Sequence, residues 1–209
     1  VELKGETFSA DYAVDTRVIT SQNIAGRVEG TKRPDETVLY SAHWDHLGIG
    51  EPDAKGDRIY NGAVDNATGT ASLIELGRAF AQAKAKPERS VVFLNVTAEE
   101  KGLLGSEYYA SKPLYPLGKT VAVLNMDALD PHGPARDFTT SGSAKVGLLD
   151  ELVETAKQWN LSYTTDPKPE AGHFFRSDHF PFAKVGVPAV SFGSGEDLVD
   201  GGVAAGKAI

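Results

Sequence analysis

The chain has 209 residues, 41% apolar and 24% charged, with 29 acidic against 21 basic side chains and a net charge of −8. That length can bury the core of one medium domain, and an acidic balance without a basic run argues against nucleic acid and anionic membranes as partners. No cysteine is present. Disulfides, thiolate zinc sites and a cysteine nucleophile are therefore excluded, and any metal must rest on His, Asp and Glu.

The N-terminus reads Val-Glu-Leu-Lys-Gly, neither an initiator Met nor a signal peptide. No apolar stretch approaches the ~20 residues that span a bilayer, so no membrane insertion is expected. Strand signals then alternate with helical periods along the chain. Strands are predicted at Arg17–Ala25, Thr37–Ala42, Ser90–Thr97, Thr120–Met126 and Val187–Phe192. Several are near-continuous runs of Val, Leu and Phe, as in sheets covered on both faces. Helices are predicted at Asn66–Ala83, at Leu103–Ser111, where Pro113 ends the pattern, and at Lys145–Trp159, with Leu148, Leu149, Leu152, Val153 and Ala156 on one face. Gly and Pro mark loops at Gly48–Gly56, Asp130–Gly142 and Thr165–Gly172. The expectation is an α/β fold, a three-layer α/β/α sandwich with a mixed, mostly parallel central sheet.

Chemistry-bearing residues fall at the carboxyl ends of these strands, where ligands bind in open α/β sheets. His43 ends the Thr37 strand. Alone it reads more readily as a satisfied polar residue, but Asp45 lies two positions on, where an extended segment would let its carboxylate hold the second ring nitrogen. Asp65 and Asn66 precede the first helix, and either could be a simple N-cap worth ~1 kcal/mol. The functional reading instead sets Asp65 between two cations. Glu99 and Glu100 follow the Ser90 strand. Adjacent acids are usually a solvated pair, yet at the end of a buried strand one can bind a metal while the other takes a proton from water. Asp127 follows the Thr120 strand directly, as a cap or as a further ligand.

The order His-x-Asp, Asp-Asn-x-x-Gly, Glu-Glu, Asn-x-Asp resembles the di-zinc exopeptidases related to bacterial leucyl aminopeptidases, a group that includes glutamate carboxypeptidase, glutaminyl cyclase and the catalytically dead transferrin receptor. The segments Ser41–Gly48, Ala98–Ser106, Ser177–Phe182 and Gly186–Ala189 carry the same likeness, which runs from about Val18 to Phe192. The resemblance implies two zinc ions per complete site and a peptide substrate. It implies that Asp65 bridges both metals, that His43 and Asp127 complete the first, and that Asp45 stands behind His43. It gives Glu100 to the second metal and makes Glu99 the general base. It also suggests a cis peptide between Asp65 and Asn66.

Two departures from the family pattern follow. Relatives carry a Tyr shortly before Ser-Asp-His as oxyanion donor; here Phe174, Phe175 and Arg176 stand there. Arg176, Asp178 and His179 are the candidates for substrate contact, His179 equally as internal support, while His46, His132 and His173 receive no role. The family's second metal also takes a His beyond the Gly-Val-Pro strand, and no His follows His179. The expectation is therefore a single zinc-peptidase catalytic domain over 1–209, cut from a longer secreted or periplasmic precursor and truncated at the C-terminus. Its second metal would hold only Asp65 and Glu100, giving a weakly active or inactive fragment, with His179 the first suspect for a replacement ligand. The leading reading is an aminopeptidase. A carboxypeptidase or dipeptidase on the same scaffold would use a basic anchor such as Arg176, and a non-catalytic peptide-binding homologue would have eroded ligands.

Overall fold

The computed structural model describes residues 5, 7–16, 18–129, 132–142 and 146–208. Arg17, Asp130 and Lys145, which open three of the predicted segments, lie outside the described residues. One seven-stranded sheet organises the chain. Its strands are β1 (Ile24–Val28), β2 (Arg33–His43), β5 (Arg89–Val96), β6 (Thr120–Asn125), β7 (Asp137–Thr140), β8 (Ser162–Thr164) and β9 (Ala189–Ser194), in the order β1-β5-β2-β6-β9-β7-β8. A two-residue hairpin, β3 (Gly48–Ile49) with β4 (Ile59–Tyr60), stands apart. The central strands β5, β2, β6 and β9 are parallel, while β1 and β7 join antiparallel. The expected mixed, mostly parallel sheet is what forms.

The strand period of two sorts the side chains into two cores. On one face Leu39, Val92, Leu94, Val96, Val123 and Ala189 pack with Tyr109 of α2 (Leu104–Ser111) and Phe182 of α4 (His179–Lys184). On the other face Ala42 and Met126, with Tyr40 and Phe93, pack against Leu73 and Leu76 of α1 (Ala67–Gln82). Leu124 and Val190 on that face meet Leu148 and Leu152 of α3 (Gly147–Lys157). Helices thus cover both faces, giving the three layers the sequence suggests. A last short helix, α5 (Gly202–Gly206), follows β9.

Several predicted boundaries need correction. The strand expected from residue 17 starts only at Ile24, where pairing with Asn95 of β5 begins. Val18 and Ile19 have the right chemistry but are 93% and 71% exposed, and strand propensity has little force without a partner surface. The loop expected over Asp130–Gly142 contains β7, and the one over Gly48–Gly56 contains β3. Strands β7 and β8 are four and three residues long and α4 is six, too short for periodicity to register.

Connectivity places the site. From β2 the chain crosses through α1 to β5 on one side, then through α2 to β6 on the other. The direction of winding reverses at β2, and a crevice opens at the carboxyl ends of the strands there.

Candidate metal centre

His43 is the last residue of β2 and is 1% exposed. Its Nδ1 lies 3.0 Å from the backbone carbonyl of Asp45, a contact that puts a proton on Nδ1 and turns Nε2 toward the site. Nε2 faces Asp65 Oδ1 at 3.0 Å and Asp127 Oδ1 at 3.2 Å. Burial alone would lower the His43 pKa, but the carboxylates of Asp127, Glu99 and Asp178 outweigh it and push it up to about 10. Negative charge so concentrated that it holds a proton on a buried imidazole is a field in which a cation can replace that proton.

Asp127 sits two residues past β6 and is braced from below. Ser177 Oγ donates to its Oδ2 at 2.5 Å, Asn125 Nδ2 donates to Ser177 Oγ at 2.8 Å, and Ser41 Oγ donates to Asn125 Oδ1 at 2.7 Å. Burial raises the Asp127 pKa, but His43 and Ser177 more than offset that and hold it below the ordinary value. The chain Ser41–Asn125–Ser177 explains why Asn125 and Ser177 belong to the recognised segments.

The N-cap question at α1 resolves onto Asn66. Its Oδ1 accepts from Gly69 N at 3.0 Å and Ala128 N at 3.2 Å, while its Nδ2 donates to the Met126 carbonyl at 3.0 Å. Asn66 thus caps the helix and ties it to the Asp127 segment, which leaves the Asp65 carboxylate free for the site. A side chain at Gly69 would collide with Asn66 Oδ1 and the Met126 carbonyl, which accounts for the glycine of Asp-Asn-x-x-Gly. The Asp65–Asn66 peptide is cis, as the resemblance suggests. Burial first, and the Asp127 carboxylate next, raise the Asp65 pKa.

Glu99 and Glu100 open a 3-10 turn, Glu99–Lys101, after β5. Ala98 before it and Leu103 after it are left-handed, at φ 55° and 61°, conformations that cost a non-glycine residue about 1–3 kcal/mol and cluster at functional sites. The turn is pinned by Asp45, whose carboxylate accepts from Glu99 N at 3.1 Å and Glu100 N at 3.4 Å. This corrects the role expected of Asp45. Its carboxylate lies 3.8 Å from His43 Nδ1, and it is the Asp45 backbone carbonyl that orients the ring. The expectation assumed an extended segment, but β2 ends at His43. Burial, with Asp178, Asp127 and Glu100 adding and His43 opposing, pushes Glu99 up to about 8.

These residues form two donor groups, each with its ligand atoms mutually within 4.8 Å: His43, Asp65 and Asp127 in one, His46, Asp65 and Glu100 in the other. Asp65 belongs to both. His46 is the residue that sequence reasoning missed, and His179 is not the replacement. Both ring nitrogens of His179 are buried without a hydrogen-bond partner, and the ring stands edge-on to Phe174. Burial lowers its pKa to about 4, with Asp127 opposing. The expectation that Asp178 and His179 contact substrate is corrected likewise. Both are 0% exposed, and Ser106 Oγ donates to Asp178 Oδ1 at 2.5 Å. They support the site floor from within the core. Arg176 is exposed and lines an open cleft of about 320 Å³ together with Asp65, Glu99, Glu100, Asp127 and His173. A second cleft of about 290 Å³ shares Asp127 and His173 and adds Asp166, Lys168, Phe192 and Glu196.

Imidazole nitrogen with carboxylate oxygen in sets of three is the donor chemistry of catalytic zinc, which keeps one position open. Zinc is accordingly the cofactor of this site, and curated relatives carry the name probable zinc metalloprotease. The chain is 35% identical over 113 residues to the mouse protein named Aminopeptidase NAALADL1, covering 52% of this chain and 14% of that one. It is 31% identical over 151 residues to the Arabidopsis thaliana protein named Probable glutamate carboxypeptidase LAMP1, covering 70% and 20%. The chain thus spans a fifth or less of these relatives' own length. Among solved structures, BSAP, a zinc aminopeptidase from Bacillus subtilis, superposes with a TM-score of 0.62 at 24% identity, over 84% of this chain and 40% of that one. The match to peptidase family M28 extends over residues 23–206, and the chain belongs to that family.

Proposed function

We propose that this chain is the catalytic domain of a zinc exopeptidase that removes N-terminal residues from peptides. One observation carries the reading: Glu99 lines the same open cleft as Asp65, Glu100 and Asp127, so a proton acceptor stands beside a donor set for metal. His43, Asp65, Asp127 and Glu100 would hold the metal. Zinc, when bound, polarises the scissile carbonyl and lowers the pKa of the attacking water.

The protein's own groups divide the remaining work. Glu99 takes the proton of the attacking water and returns it to the leaving amine. The Glu99 carboxylate is aimed by its pinned backbone, because Asp45 holds the Glu99 and Glu100 amides. Arg176, which lines the cleft, would stabilise the negative charge that develops on the carbonyl oxygen.

The charge of the cleft favours an aminopeptidase. Zinc would neutralise the carboxylates that hold it, but in the neighbouring lobe Asp166 and Glu196 outnumber Lys168. That acidic balance favours the ammonium of a free N-terminus over a free carboxylate. The relative named as an aminopeptidase agrees with that preference. A second reading, a carboxypeptidase, rests on Arg176, which could anchor a C-terminal carboxylate, and on the relative named glutamate carboxypeptidase.

Aminoacyl para-nitroanilides and N-acetylated dipeptides with free C-termini, each assayed with added zinc, separate the two. Hydrolysis confined to the free-amine substrates is expected. Turnover confined to the N-acetylated dipeptides would replace the aminopeptidase reading with the second.

A further inference from the structure

We infer that His46 is a zinc ligand through Nδ1, and that with Asp65 and Glu100 it makes a second three-donor metal site in this chain. The inference rests on the zinc reading above and extends it to a residue outside the four ligands named there.

The first observation is geometric. His46 Nδ1, an Asp65 carboxylate oxygen and a Glu100 carboxylate oxygen lie within 4.8 Å of one another. The second is the way these atoms face. His46 Nδ1 is 2.5 Å from Glu100 Oε1, yet both atoms are buried without a hydrogen-bond partner. A simple His–Glu pair would aim an N–H along the line to the oxygen. Here the atoms are close but misaligned, as donors are when they converge on a common point instead of on each other. Buried polar atoms are otherwise satisfied in folded proteins, and two orphans meeting beside the Asp65 carboxylate call for a partner.

The third observation is chemical. His43, Asp65 and Asp127 offer one imidazole and two carboxylates, and His46, Asp65 and Glu100 offer the same set. Three protein donors with an open fourth position is the pattern of catalytic zinc. Local packing also places His46. A side chain at Gly62 would sit 2.9 Å from His46 Cβ and 2.8 Å from the Asp65 carbonyl. The bare glycine therefore lets the Asp65 loop close onto the His46 segment. The Glu100 side meets the same segment through Asp45, the residue before His46, which holds the Glu100 amide.

Zinc titration of the 209-residue protein, read by calorimetry and by metal analysis after dialysis, tests this without recourse to activity. The unmodified protein should take up two zinc ions and His46→Ala one, with second-site affinity falling by more than the ~10–100-fold that loss of a supporting group costs. A His46→Ala protein that still binds two ions with unchanged affinity overturns the inference. One ion in the unmodified protein overturns it too, while leaving the zinc reading standing; no ion at all removes both. Imidazole ¹⁵N NMR of the unmodified protein guards against misfolding of the variant. On zinc addition the His46 Nδ1 and His43 Nε2 resonances should both move to metal-bound positions. Movement of His43 Nε2 alone refutes the proposal.

Discussion

The two donor groups share Asp65 and the same composition, but they are built differently. The His43 group grows from strand ends. His43 is 1% exposed and its ring is oriented by a backbone carbonyl, while Asp127 rests on a buried chain of Ser177, Asn125 and Ser41. The His46 group hangs on loops. His46 is 23% exposed, Glu100 17% and Asp65 47%, and the Glu100 backbone is held to Asp45 through its amide. A site whose ligands are fixed before metal arrives loses less conformational freedom on binding. Identical ligand chemistry on one scaffold should therefore give one tight and one labile metal.

The most drastic way to break that asymmetry is to remove what both groups share. Asp65→Ala deletes a ligand from each three-donor set. The expected outcome is loss of both zinc ions and of all peptidase activity, with the fold retained because Asn66, not Asp65, caps α1. Metal analysis with circular dichroism checks it. A variant that keeps one zinc would show that the two groups do not depend on a common residue.

Glu99→Gln comes next and should leave the asymmetry intact. Glu99 is in neither donor group, so both metals should remain. Loss of the proton acceptor should cost about 10²–10⁴-fold in turnover. Single-turnover kinetics alongside metal content would expose an error in the division of labour between the two glutamates, since metal loss in this variant would make Glu99 a ligand.

The groups can then be addressed one at a time through their supports. Ser177→Ala removes the hydroxyl that donates to Asp127 Oδ2 and should weaken only the tight metal, by about 10–100-fold. Asp45→Ala should do the reverse. It releases the amides of Glu99 and Glu100 but keeps the backbone carbonyl that orients His43. Competition titrations with a chromogenic chelator report both affinities. If Asp45→Ala weakens the tight metal instead, the carboxylate contributes to His43 across the 3.8 Å that separates them.

How far the sequence reaches follows from the same contrast. His43, Glu99, Glu100 and Asp127 are legible because each follows a buried β run, and parallel strands bring their carboxyl ends together. The layers are legible because Leu39, Val92 and Val123 alternate with Tyr40, Phe93 and Leu124 between two faces. His46 lies three residues past a strand end, in a segment with no period, and only the fold of the Asp65 loop brings it into the site. Asp45 departs from expectation because the i, i+2 relation belongs to extended chain, and β2 ends at His43, two residues before it. β7 and α4 are too short for a period to register, and β7 pairs with strands distant in sequence.

The smallest expected effect concerns what the rigid group rests on. Asp178 is 0% exposed beneath His43 and Asp127, and its Oδ2 has no hydrogen-bond partner. Burial is the main cause that pushes its pKa up to about 7 from 3.8, with Asp127 and Asp45 adding and Ser106 and His43 opposing. A carboxyl whose pKa is raised on folding prefers to stay protonated in the folded state. Its contribution to stability is therefore fully present below pH 3.8 and is lost as pH rises toward and through 7. In metal-free protein, Asp178→Asn removes that loss, because the amide never ionises and its oxygen can still accept from Ser106. Melting temperatures of variant and parent should lie close together near pH 4. They should diverge toward pH 8, with the variant the higher of the two. Using the difference between the two proteins cancels every other titrating group to first order, except those coupled to Asp178 itself. Equal melting temperatures at pH 8 would mean that Asp178 ionises without penalty, and that the floor under His43 carries a charge the rest of the site has already accommodated.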